Sequence, residues 1–128
     1  MRENDMRKII QCIKTGIYDP CDWGGGPRSS VAMQCGKAHL EIANAELEAA
    51  AKVIESRLEE GGDTKRLREF RELEKKWVAF RDDYCDLVGG IDANGESSSW
   101  KVFAPDYCRE RLTRKRLEEV NLLKDADY

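Results

Sequence analysis

Trp77-Val78-Ala79-Phe80-Arg81-Asp82-Asp83-Tyr84-Cys85 is the stretch on which the reading of this chain turns. Trp77, Phe80 and Tyr84 recur at steps of three and four, so a helix carries them on one face. Arg81 follows Trp77 by one turn, at the edge of that face, and Cys85 closes the run ahead of Gly89-Gly90. The expectation is a helix with its core contact in Trp77, Phe80 and Tyr84, an inward-leaning polar contact in Arg81, and a cross-link in Cys85.

Working back toward the N-terminus, the same helix should begin near Thr64 and run to about Leu87. Leu67, Phe70 and Leu73 extend its inner stripe, and the opposite face is dense in Lys, Arg and Glu, including Glu72 and Lys76 at i,i+4. That charged face reads as solvated. Gly61-Gly62-Asp63 separates it from an earlier helix, capped by Ser29 or Ser30 and reaching about Glu60. Gly61 is the expected left-handed cap, and Asp63 or Thr64 starts the next helix. In the first helix Leu40, Ala43, Leu47, Ala50, Ile54 and Leu58 form a heptad-like seam. Its many alanines favour helix and allow close approach by a neighbour.

Toward the C-terminus, Val88 to Pro105 is a long connection rich in Gly, Ser, Asp and Asn, from which Trp100, Val102 and Phe103 return to the core. Pro105 suits the first turn of a last helix ending near Leu123. There Cys108, Leu112, Val120 and Leu123 share a face, with Arg116 among them, either buried and paired or snorkelling. Residues 1–20 read as an extension or short helix, and residues 21–124 as the helical domain. The fold class is all-α: an antiparallel three-helix bundle, four-helix if the N-terminal segment joins, with disulfides at one end.

Composition narrows the function. The 128 residues are 37% charged and 41% hydrophobic, with net charge −3, which suits a globular protein and argues against general phosphate-backbone binding. The acidic balance mildly favours a basic partner. No segment approaches the roughly 18 apolar residues of a membrane span. Met1 to Gly16 lacks the apolar run of a signal peptide. The cysteines nevertheless favour export, so the expectation is a periplasmic or secreted protein whose signal has been removed.

Five cysteines stand at positions 12, 21, 35, 85 and 108, none in CxxC spacing, and His39 is the lone histidine, so no metal site or cofactor is expected. In a helical hairpin about Gly61-Gly62, Cys35 and Cys85 lie far from the turn, and the last helix brings Cys108 to the same pole. Cys21 is tethered there by its closeness to Cys35. Of three pairings, Cys21–Cys85 with Cys35–Cys108 is favoured, because both bonds then tie different elements. Cys12 is left over.

Nothing in the sequence assembles a catalytic motif: there is no GxxxxGK[ST] loop and no GxSxG elbow. A Cys–His nucleophile would need Cys35 or Cys12 beside His39; Cys35 and His39, at i,i+4, can touch, and a disulfide at Cys35 would remove that pair. No catalytic residue is assigned.

The order Cys21, Met33-Gln34-Cys35, Ala43-Asn44-Ala45-Glu46-Leu47, WVAFRDDYC, Gly89-Gly90, Cys108 and Arg116-Leu117 resembles the LprI-type lysozyme inhibitor family. The resemblance runs from about Cys21 to Leu123, and W-x-x-[FY]-R-D-x-x-C is its most specific part. It implies a helical, disulfide-linked, exported domain, with lysozyme inhibition credited to some members. Asn44 stands where the family pattern has Asp, and Glu48 and Ala51 depart from its Asn and Tyr. The function expected is therefore that of a non-enzymatic binding protein inhibiting a lysozyme-type muramidase. An immunity protein against an antibacterial toxin and a structural envelope domain are the alternatives. The expected contact loop runs from Ile91 to Val102, with Lys101 meeting a carboxylate and Ser97, Ser98 and Ser99 hydrogen-bonding beside Trp100.

Overall fold

The computed structural model describes residues 30–92 and 104–126, with Arg7, Ile10, Gln11 and Lys14 near the N-terminus. Among these residues the secondary structure is helical, with no strand: α1 (Ser30–Glu60), α2 (Thr64–Asp92) and α3 (Pro105–Asp125). The expectations placed on Cys12, Cys21 and Ser97 to Lys101 lie outside the described residues.

The turn between α1 and α2 is built from backbone bonds. Gly62 N–H donates to Glu59 O at 3.0 Å and Asp63 N–H to Leu58 O at 2.9 Å, which satisfies two carbonyls at the helix end. Gly62, not the expected Gly61, takes the left-handed conformation, at φ 71°. The paired 5→2 and 6→1 bonds put the cap one residue further on than the sequence reading placed it. Asp63 then caps α2, its Oδ1 accepting the Arg66 N–H at 3.1 Å. Gly62→Ala should therefore lower stability by roughly 1–2 kcal/mol, read as a shifted urea midpoint, although no atom crowds the position. Gly61→Ala should cost less, since Gly61 has no positive φ.

α2 runs through Gly89-Gly90 to Asp92, one turn beyond its expected end at Leu87. Pro105 opens α3 as expected, with Ala104 before it.

Paired residues give the register. Numbers rise along α1 as they fall along α2: Asn44 meets Arg81, and Glu55 meets Arg71. They rise together along α1 and α3: Glu46 meets Arg114, and Arg57 reaches the Lys124 carbonyl. Along α2 and α3 they run oppositely, through Glu74–Arg116, Arg81–Thr113, Asp82–Arg109 and Cys85–Cys108.

The core is Leu47, Ala50 and Ile54 of α1 with Val120 of α3, flanked by Leu58, Phe70, Trp77 and Leu117. α1 makes its extensive contact with α3 and only sparse contact with α2, the helix that follows it. Small residues explain the choice. Ala38, Ala43 and Ala50 are buried on α1, and at Gly36 the Tyr107 ring stands 3.2 Å from where a Cβ would be. The alanine face admits α3 rather than the hairpin neighbour.

The inner face of α2 differs from the expected stripe. Leu67 is buried and Phe70 and Trp77 are half-buried, but Leu73, Phe80 and Tyr84 are exposed at 57%, 60% and 40%. Phe80 and Tyr84 are therefore not core residues. The seam instead passes through Glu74 and Arg81, one position beyond Leu73 and Phe80. On α3, Thr113 and Val120 are buried with Cys108, whereas Leu123 is 43% exposed.

Candidate functional site

The sequence singled out Arg81, and its surroundings form the most developed polar constellation among the described residues. Arg81 is a seam residue 8% exposed, so its guanidinium must find partners within the protein. Nη1 donates to Asn44 Oδ1 at 2.9 Å and to Thr113 Oγ1 at 3.2 Å, which ties α2 to both other helices. Nε donates to Asp82 Oδ1 at 2.9 Å, and the guanidinium lies 5.4 Å from the centre of the Trp77 ring. The Thr113 hydroxyl in turn donates a hydrogen bond to the Arg109 carbonyl at 2.7 Å.

Asn44 thus meets the inward arginine as a neutral acceptor. The charge comes from Asp82, which also accepts from Arg109 Nε at 3.2 Å. Arg109 continues to Asp86 at 2.6 Å and Asp106 at 3.3 Å. Arg116, the other inward arginine, pairs with Glu74, and its buried Nε has no hydrogen-bond partner among the described residues.

Beside this network α1 and α2 leave an open groove of about 520 Å³. Leu47, Ala51 and Val78 form its apolar part, and Asn44, Glu74 and Arg81 line it where the seam turns polar. Glu74 and Arg81 also reach α3, through Arg116 and Thr113.

At the pole far from the Gly61-Gly62 turn, Cys85 and Cys108 are joined, with Cα atoms 5.6 Å apart. This overturns the favoured pairing of Cys21 with Cys85 and Cys35 with Cys108. Cys35 is itself disulfide-bonded and is wholly buried. The opposed numbering of α2 and α3 brings Cys85 and Cys108 to one level, and both lie on the buried seam. The expectation that sulfurs gather at one pole holds for Cys35, Cys85 and Cys108, because Gly36 sits against Asp106 and Tyr107.

The bond at Cys35 removes the Cys35–His39 pair considered as a nucleophile. No group of His, Cys, Asp and Glu suited to a metal ion occurs among the described residues. No helix among them is long and apolar enough to cross a membrane. The Cys85–Cys108 bond closes the chain around residues 86–107, the span that includes the expected contact residues Ser97 to Lys101.

A feature the sequence reading missed is the exposed apolar side of α2, where Phe80 and Tyr84 stack with ring centres 5.8 Å apart. The signal was present. Leu73, Phe80 and Leu87 repeat every seven residues, one step out of phase with Leu67, Glu74 and Arg81.

A family model described as "Lysozyme inhibitor LprI" matches residues 26–120. No curated protein and no solved structure matches the chain.

Proposed function

With a match spanning most of its length, the chain belongs to the LprI lysozyme inhibitor family, and on that premise we propose that it is a non-enzymatic protein inhibiting a lysozyme-type muramidase in the periplasm or outside the cell. The family match is the observation that carries this reading.

A muramidase cleft presents two carboxylates. A binding protein blocks such a cleft with a segment ordered beforehand, since less freedom is then lost on association. The segment between α2 and α3 is the proposed contact, with Lys101 directed to a cleft carboxylate and Ser97, Ser98 and Ser99 supplying hydrogen bonds. Support comes from the bond that fixes Cys85 to Cys108 on either side of it, and from helices whose paired residues suit an antiparallel three-helix scaffold. The net charge of −3 favours encounter with a basic enzyme.

The test is clearance of a peptidoglycan suspension by lysozyme, with and without the oxidised protein. The expected result is dose-dependent inhibition, weakened about tenfold or more by Lys101→Glu, which replaces attraction by repulsion. Full lysozyme activity at saturating protein would reject the reading.

A further inference from the structure

Leu73, Phe80 and Leu87 are each more than half exposed, and Tyr84 is 40% exposed. At about 100° per residue these four share an arc of α2 with Lys76 and Asp83. Neither Lys76 nor Asp83 has an ion-pair partner among the described residues, although Lys75 pairs with Glu72. The face therefore combines an apolar strip with one unpaired charge of each sign.

The charge along α2 is polarised. From Lys65 to Lys76 six basic residues stand against three acidic ones, and after Trp77 only Arg81 is basic against four aspartates. This runs counter to the helix macrodipole, which favours acidic residues at the N-terminus and basic ones at the C-terminus. The first turn carries no acid and the last turn no base. Within one molecule that order is offset only where Arg81 and Arg109 meet Asp82 and Asp86. Against the same helix reversed, it is complementary.

We propose that this face binds a second copy of the chain, α2 against α2 in opposite directions, about a two-fold axis at Phe80. In that register Leu73 of each copy meets Leu87 of the other, the two Phe80 rings meet at the axis, and each Lys76 lies beside an Asp83. A two-fold interface needs a self-complementary patch, and the strip meets that condition. Leu73 to Leu87 spans only about 21 Å of helix. The contact is smaller than a standard interface, so the dimer is a weak one, with a dissociation constant in the micromolar range.

Sedimentation velocity of the oxidised full chain, from about 1 to about 100 μM, tests this. The expected result is a monomer–dimer equilibrium within that range. Phe80→Glu should be monomeric throughout, with unchanged helicity, because the side chain is exposed. Lys76→Asp or Asp83→Lys alone should weaken the dimer about tenfold, and the two together should restore it. A wild-type chain monomeric at every concentration, or a dimer that survives Phe80→Glu, overturns the proposal. So does a monomeric chain in which Phe80→Glu abolishes muramidase inhibition, since the face would then be the enzyme's. Assembly is measured without any muramidase, so the proposal and the inhibitory reading can fail separately.

Discussion

Arg81→Ala is expected to lower the unfolding free energy by about 3 kcal/mol, among the largest effects of any single substitution in this chain. The size follows from what the side chain holds. Arg81 contacts all three helices through Asn44, its own neighbour Asp82, and Thr113. Its removal strips a charged donor from Asn44 and Thr113 and opens a void beside Trp77. Asp82 is spared much of the penalty, because it keeps Arg109 and is 40% exposed along its side chain. For a chain of this length the loss corresponds to a fall in Tm of about 10 °C. Arg81→Lys should recover less than half, since one ammonium cannot replace a planar fork reaching Asn44 and Asp82 at once. Asn44→Ala should cost about 1 kcal/mol, and the double variant less than the sum of the two, because both remove the same bond. Urea titration of the wild type and the four variants measures this. Additivity, or a loss below about 1 kcal/mol for Arg81→Ala, would show that the network is incidental.

The difficulty of Arg81 is also where sequence reading reached its limit. α1 was legible from Ser30 to Glu60 because its seam of Ala43, Leu47, Ala50 and Ile54 is apolar at every step and ends in glycine. The start of α3 was legible from Pro105. α2 was found as a helix but rotated wrongly. Its seam is interrupted by Glu74 and Arg81, and the apolar residues just before each, Leu73 and Phe80, form a rival stripe of the same period. Hydrophobicity alone selects the rival. Only the partners on other helices, Arg116 for Glu74 and Asn44 and Thr113 for Arg81, make the polar seam the stable one. Those partners lie 32 to 42 residues away, where no local pattern reaches.

The same cause accounts for the cysteines. Position along the helices predicted which pole they share, and that needs only lengths and a turn. Pairing needs the rotation of each helix about its own axis, which the polar seam sets. The antiparallel hairpin of α1 and α2 was legible from the Gly61-Gly62 turn, but not that the alanines and Gly36 of α1 bring α3 closer than α2.

Removing the Cys85–Cys108 bond is the second large effect. Cys85→Ala with Cys108→Ala, replaced together so that neither sulfur is left to mispair, should cost about 3–5 kcal/mol. The bond joins residues 23 apart, and loop closure over that separation accounts for about 3.4 kcal/mol in the chain-entropy treatment. Loss of two wholly buried sulfurs adds to it. The energetic loss and the functional one separate by temperature. Well below its lowered melting point the variant should keep its helices, since the Arg81 and Arg109 networks still join α2 to α3. The segment between residues 86 and 107, however, is then no longer held at both ends, and the proposed inhibition should weaken even while circular dichroism reports full helicity. Denaturant titration and clearance assays on the same sample distinguish the two effects. A variant as stable as wild type would mean that the helix contacts alone fix this pole, and one equally inhibitory would place the muramidase contact elsewhere than between α2 and α3.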